Sequence, residues 1–166
     1  SPLVIQARHD EAFDVEKVPK DFFHTLQTIY EETLVPDVRK GFKEETKARE
    51  AALILLNRLI FLYFIQKKGW LSSSGGRSDA GGNAEFLFRA FKAYRGNGAD
   101  RTYYRGFLLP LFETLATPKK ERRGDRFEPF RSIPFLNGGL FEPDILATRD
   151  AGLRVTNAAF ARLFNE

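Results

Sequence analysis

A helix with no polar face is the strongest constraint on this chain. Residues 53–71 read LILLNRLIFLYFIQKKGWL. A helix that is apolar nearly all round is either buried in a core or set in a membrane. Asn57 and Arg58 break the run, and the pieces on either side fall far short of the ~20 apolar residues a bilayer span needs. An Arg near the middle of a span would cost about 2.5–3.5 kcal/mol. The sequence therefore predicts a buried central helix from about Glu44 to Lys68, with no membrane partner. Lys67 and Lys68 fall in its last turn, where cations complement the helix dipole, and Gly69 is the candidate C-cap.

The rest of the chain reads as mainly α-helical. Phe22, Phe23, Leu26, Ile29 and Tyr30 recur at helical spacing after Pro19, a first-turn proline. Pro36-Asp37 is expected to restart the chain, with Asp37 as an N-cap. Asn83 can cap a helix carrying Phe86, Leu87, Phe91 and Tyr94. Asp100 to Ala116 forms another, in which Pro110 predicts a kink or break. Thr156 or Asn157 caps a last helix, Ala158 to Phe164, and a short helix can begin at Pro143-Asp144. Two or three short strands or hairpin elements are expected, at Asn137-Gly138-Gly139 and at Leu153-Arg154-Val155. Flexible loops are expected near 72–82 and 117–131.

The length of 166 residues fits a single domain, 1–166, and 17 phenylalanines make its core aromatic. Charged residues at 29% argue against a disordered chain, and the lack of cysteine excludes disulfides and thiolate metal sites. The chain opens on Ser1 and contains no Met, so it reads as a piece of a longer protein. No targeting segment is visible, and a cytoplasmic location is expected. The net charge of +4 leans towards an acidic partner, nucleic acid first.

Catalytic patterns are weak. Pro36-Asp37 with Glu45-x-Lys47 has the form of a nuclease metal site. That chemistry places its carboxylates on adjacent strands, whereas here Glu45 and Lys47 open a helix. His9 and His24 are the only histidines, and His9-Asp10-Glu11 reads as a solvated segment. No catalytic, cofactor-binding or metal-ligating residue is assigned. Arg58 is different, because Ile54 and Leu62 flank it on the helix face. A buried guanidinium keeps its charge and needs a partner, since breaking such a pair costs ~3–5 kcal/mol. The expected structure is a polar lock of Asn57, Arg58, Asn137 and Glu142. In it Arg58 pairs with the carboxylate of Glu142 or Asp144, and Asn57 bonds a loop backbone. The competing reading has Asn57 and Arg58 lining a functional surface. The candidate DNA contacts are Lys67 and Lys68, beside Trp70, and Lys119, Lys120, Arg122 and Arg123 in a basic loop that Glu121, Asp125 and Glu128 dilute. Such side chains can neutralise phosphates.

Two segments carry a resemblance. NRLIFLYFIQKKGWL, followed by Pro110-Leu111-Phe112 and then IPFLNGGLFE (133–142), resembles the helical region ahead of the methyltransferase domain in type IIG restriction–modification enzymes. It is also similar to that region of their relatives, the BREX phage-defence adenine methyltransferases. The resemblance spans about Phe22 to Glu142. It implies a bacterial parent protein that binds duplex DNA and methylates adenine with S-adenosylmethionine; some members also cut DNA through a separate nuclease domain. The Asn-Pro-Pro-Tyr catalytic motif of the family is absent here, so no catalytic or cofactor residue carries over. The expected role is a non-catalytic connector packing on the methyltransferase domain of the same chain, with contacts to DNA backbone. An independent nucleic-acid-binding module and a protein-binding helical scaffold are the alternatives.

Overall fold

A computed structural model of the chain describes residues 20–71, 85–94, 102–136, 139–142 and 155–165. The expectations for His9-Asp10-Glu11, the 72–82 loop, Asn83, Asn137, Pro143-Asp144 and Leu153-Arg154 lie outside them. Five helices organise the described residues: α1 (20–38), α2 (Glu45–Lys67), α3 (Phe86–Tyr94), α4 (103–116) and α5 (Asn157–Leu163). Short 3-10 turns at Arg39–Gly41, Lys119–Glu121, Asp125–Phe130 and Gly139–Phe141 complete them. No strand forms among the described residues, contrary to the hairpin elements expected from sequence. The Ile133 to Leu136 stretch makes one backbone bond to a distant element, Leu136 N–H to the Leu115 carbonyl at 2.9 Å. One bond to a helix end is not a ladder, and a strand needs a neighbour.

Helix α2 runs over nearly the predicted range. It ends in a Schellman turn: Gly69 N–H bonds the Gln66 carbonyl, Trp70 N–H bonds the Ile65 carbonyl, and Gly69 takes a φ of 76°. No helix among the described residues is long and apolar enough to cross a membrane.

Pro36 does not do what the sequence suggests, and Pro110 marks a change of helix type rather than the end of a helix. Pro36 neither restarts the chain nor breaks α1, and Pro110 lies inside α4. In each case a π-helical turn ends two residues before the proline, at Ile29–Leu34 and at Tyr104–Leu108. The residue just before each proline bonds five residues back, Val35 N–H to the Tyr30 carbonyl and Leu109 N–H to the Tyr104 carbonyl. The wider turn relieves the clash between a proline ring and the carbonyl four residues behind it. Because α1 continues, Asp37 is not an N-cap. It is buried within the helix and reaches across to α5, where its carboxylate accepts from Thr156 N–H at 2.7 Å and from the Thr156 hydroxyl at 3.1 Å. Thr156 in turn caps α5 by accepting from Ala159 N–H.

Aromatic rings fill the space between α3, α4 and α5. Tyr103 stacks on Phe107 with centroids 5.2 Å apart, and Phe160 meets Tyr103 edge-on at 4.8 Å. The Tyr103 hydroxyl donates to the Leu87 carbonyl at 3.0 Å, and burial pushes its phenol above the usual range. Gln66, buried in α2, accepts from Leu87 N–H at 2.8 Å and so satisfies a donor in the first turn of α3.

Helices α3 and α4 meet where Gly106 faces Tyr94. A Cβ at Gly106 would lie 2.4 Å from Tyr94 Cε1. Gly106→Ala should therefore destabilise the fold by about 1–3 kcal/mol, because the Tyr94 ring must leave its contact with Phe107. In a Tyr94→Ala background the same substitution should cost little, a difference that urea denaturation of the double-mutant cycle measures.

Candidate functional site

The two segments that carry the resemblance meet at Arg58. Its side chain is 1% exposed, on the face of α2 that also buries Leu55, Leu62 and Ile65. Its Nε–H donates to the Leu140 carbonyl at 2.7 Å and its Nη2 to the Glu142 carbonyl at 2.9 Å. The guanidinium carbon stands 4.9 Å from the centre of the Phe112 ring, on α4, and 5.9 Å from that of Phe141. Phe141 itself packs edge-on against Phe61 of α2 and tilted against Phe112. A charged, flat, multi-donor group thus fastens the 139–142 turn between two helices, a geometry that suits Arg rather than Lys.

The structure adds backbone acceptors to the expected lock and turns Asn57 out of it. These bonds of Glu142 and Leu140 to Arg58 come from their backbone carbonyls, and the Glu142 residue is exposed. Asn57 is exposed as well. Successive helix residues point about 100° apart, so a buried Arg58 turns Asn57 outward.

The basic loop divides into fastened and unfastened cations. Arg122 turns inward: Nε donates to the Thr117 carbonyl at 2.9 Å, Nη1 to that of Ile133 at 2.7 Å and Nη2 to that of Thr114 at 2.8 Å. It ties the end of α4 to the start of the 133–136 stretch, and burial pushes its guanidinium below the usual value. Nothing in the composition of PKKERRGDRF separates this arginine from Arg123 beside it. Arg126 pairs with Glu113 at 2.6 Å, and Arg131 pairs with Glu128. Lys119, Lys120 and Arg123 are exposed and have no ion pair among the described residues. A cleft of about 320 Å³ opens among Lys119, Arg122, Gly124, Phe127, Glu128 and Arg131.

Lys67 and Lys68 do not stack on Trp70. Each lies over the ring four residues before it, Lys67 over Tyr63 at 5.3 Å and Lys68 over Phe64 at 5.6 Å. Tyr63 (55%), Phe64 (55%), Trp70 (54%) and Leu53 (49%) leave about half their surface open. So the helix that looked buried all round leaves several large apolar side chains half open, with Trp70 just past its end. On α1, Phe22 and Phe23 are open too, although periodicity counted them towards a buried face. The nuclease-like pattern is dispersed: Asp37 serves Thr156 and Lys40, Glu45 faces Arg49, and Lys47 pairs with Glu44.

The chain is similar to a protein of Methanocaldococcus jannaschii named "Putative type II restriction enzyme and methyltransferase". The two are 36% identical over 100 residues, which is 58% of this chain and 8% of that protein. That likeness associates the chain with restriction–modification proteins, of whose matched relative it spans only a small part. No family model matches the chain, and no solved structure matches it significantly.

Removing the guanidinium tests the cradle. Arg58→Met keeps the apolar contacts but orphans two carbonyls, at roughly 1–3 kcal/mol each. Thermal or urea unfolding should show a loss of that order, while Asn57→Ala, at an exposed position, should stay within about 0.5 kcal/mol of wild type.

Proposed function

We propose that this chain is a non-catalytic helical connector within a restriction–modification polypeptide, of the kind that methylates adenine in DNA with S-adenosylmethionine. In this reading it packs on the methyltransferase domain and contacts the backbone of duplex DNA. The parent works in the bacterial cytoplasm, and some such parents also carry a nuclease domain. The likeness to a protein named as both restriction enzyme and methyltransferase supports the setting. The observation that carries the connector role is the exposure of large apolar side chains, Leu53, Tyr63 and Phe64 on α2 and Trp70 just past its end. Large apolar side chains left half open on one helix and its end suit docking by another structure. The buried polar groups Arg58, Gln66 and Asp37 are occupied in holding helices and turns together, which fits a scaffold.

Two measurements test the proposal. The coding sequence that follows should contain a Gly-rich strand–turn–helix and an Asn-Pro-Pro-Tyr motif, and their absence would end the methyltransferase reading. In the parent polypeptide, Phe64→Asp with Trp70→Asp should lower DNA methylation roughly tenfold to a hundredfold, the equivalent of losing ~1.5–3 kcal/mol of apolar burial. Lys43→Glu, on the exposed segment before α2, should leave it unchanged. Equal activity of the two variants would show that these aromatics dock nothing that methylation requires.

A further inference from the structure

The cleft in the basic loop has an organisation that a solvated charge run lacks. Arg122 is held at its base by three backbone carbonyls, all neutral, and has no carboxylate partner among the described residues. Its charge is therefore fixed in place yet not cancelled. It keeps two of its five N–H donors beyond those three bonds. Lys119 lines the cleft, while Lys120 and Arg123, nearby in sequence, are exposed and have no ion pair among the described residues. Glu128 also lines the cleft, but it is paired with Arg131. Counting the lining residues, Lys119, Arg122 and Arg131 against Glu128 leave a net charge of +2. Gly124 adds a backbone with φ of 92° and nothing within 4 Å of where a Cβ would stand, so a ligand can approach the main chain closely.

We propose that this cleft is a phosphate-binding site, in which Arg122 is a fixed positive anchor and Lys119, which also lines it, closes on the anion. Its ligand is a phosphodiester of duplex DNA. The identity of that ligand rests on the function proposed above, whereas the anion site rests on the cleft itself. Arg122 acts here as a positioning residue for the loop as well as a charge, so its removal would confuse folding with binding. Lys119 is exposed and can be changed without that ambiguity.

The test is fluorescence anisotropy of a labelled DNA duplex with the full 166-residue chain, at salt concentrations from about 50 to 200 mM. Wild type should bind at the low end and weaken steeply with salt. Lys119→Glu should weaken binding about tenfold, and Lys119→Ala should lower the salt slope by about 0.9, one phosphate contact. Lys43→Glu makes the same charge change elsewhere and should have a much smaller effect. Competition with inorganic phosphate at constant ionic strength separates the sources. Displacement of the duplex shows that the cleft takes the phosphate group itself, and resistance shows that it requires the diester of a nucleic acid; both outcomes support an anion site. Lack of duplex binding at low salt overturns the proposal, as does equal weakening by Lys43→Glu and Lys119→Glu. Either failure would leave the docking role of α2 standing. Conversely, loss of the methyltransferase reading would leave a cleft that still passes this test.

Discussion

The Arg58 guanidinium sets the arrangement around α2. It lies in an apolar wall, cannot lose its charge, and finds compensation in two carbonyls and two aromatic faces. Those carbonyls belong to a turn more than eighty residues away in sequence. Without a strong multi-donor group beneath it, that turn would bring polar backbone into a dry site at a cost of about 1–3 kcal/mol per unpaired group. Arg58 therefore lets an irregular segment dock on helices. Phe141 enters with it, between Phe61 and Phe112, and brings α2 and α4 into one cluster.

The same device recurs at several places where described segments meet. Arg122 gathers three carbonyls at the end of α4, and Gln66 accepts from the start of α3. Asn157 accepts from Tyr103 N–H, and Asp37 holds the cap of α5. Helix ends and turns leave orphan donors and acceptors, and here polar side chains from neighbouring helices meet them. The buried polar groups are thereby committed to architecture. What the chain offers outward is of another kind: half-open aromatics on α2 and unpaired cations after α4. That division fits the connector role proposed above.

Much of this was legible in one dimension. The span of α2, the left-handed Gly69 and the capping by Thr156 follow from periodicity and local turn chemistry. Arg58 was recognisable as an oddity because a charge amid Ile54 and Leu62 must be answered. Asn57 faces outward because Leu53, one turn before it on the same face, is itself half exposed. Pro36 continues α1 through a π turn, which has no sequence signature as plain as the proline it accommodates. Arg122 was indistinguishable from its neighbours, since which of several loop cations turns inward depends on where the carbonyls of Thr114, Thr117 and Ile133 come to lie.

The sequence alone determined that the chain is helical and that its longest helix is central. It also determined that one arginine in that helix must be satisfied internally, because these depend on period, composition and the cost of burying charge. Only the tertiary structure decided that backbone carbonyls of a distant turn hold that arginine. It likewise decided that several large apolar side chains of the central helix stay half open and that the basic loop keeps some cations while releasing others. Those outcomes depend on which groups meet across the fold, and the meeting of distant backbone with a side chain is not encoded in the local run around either one.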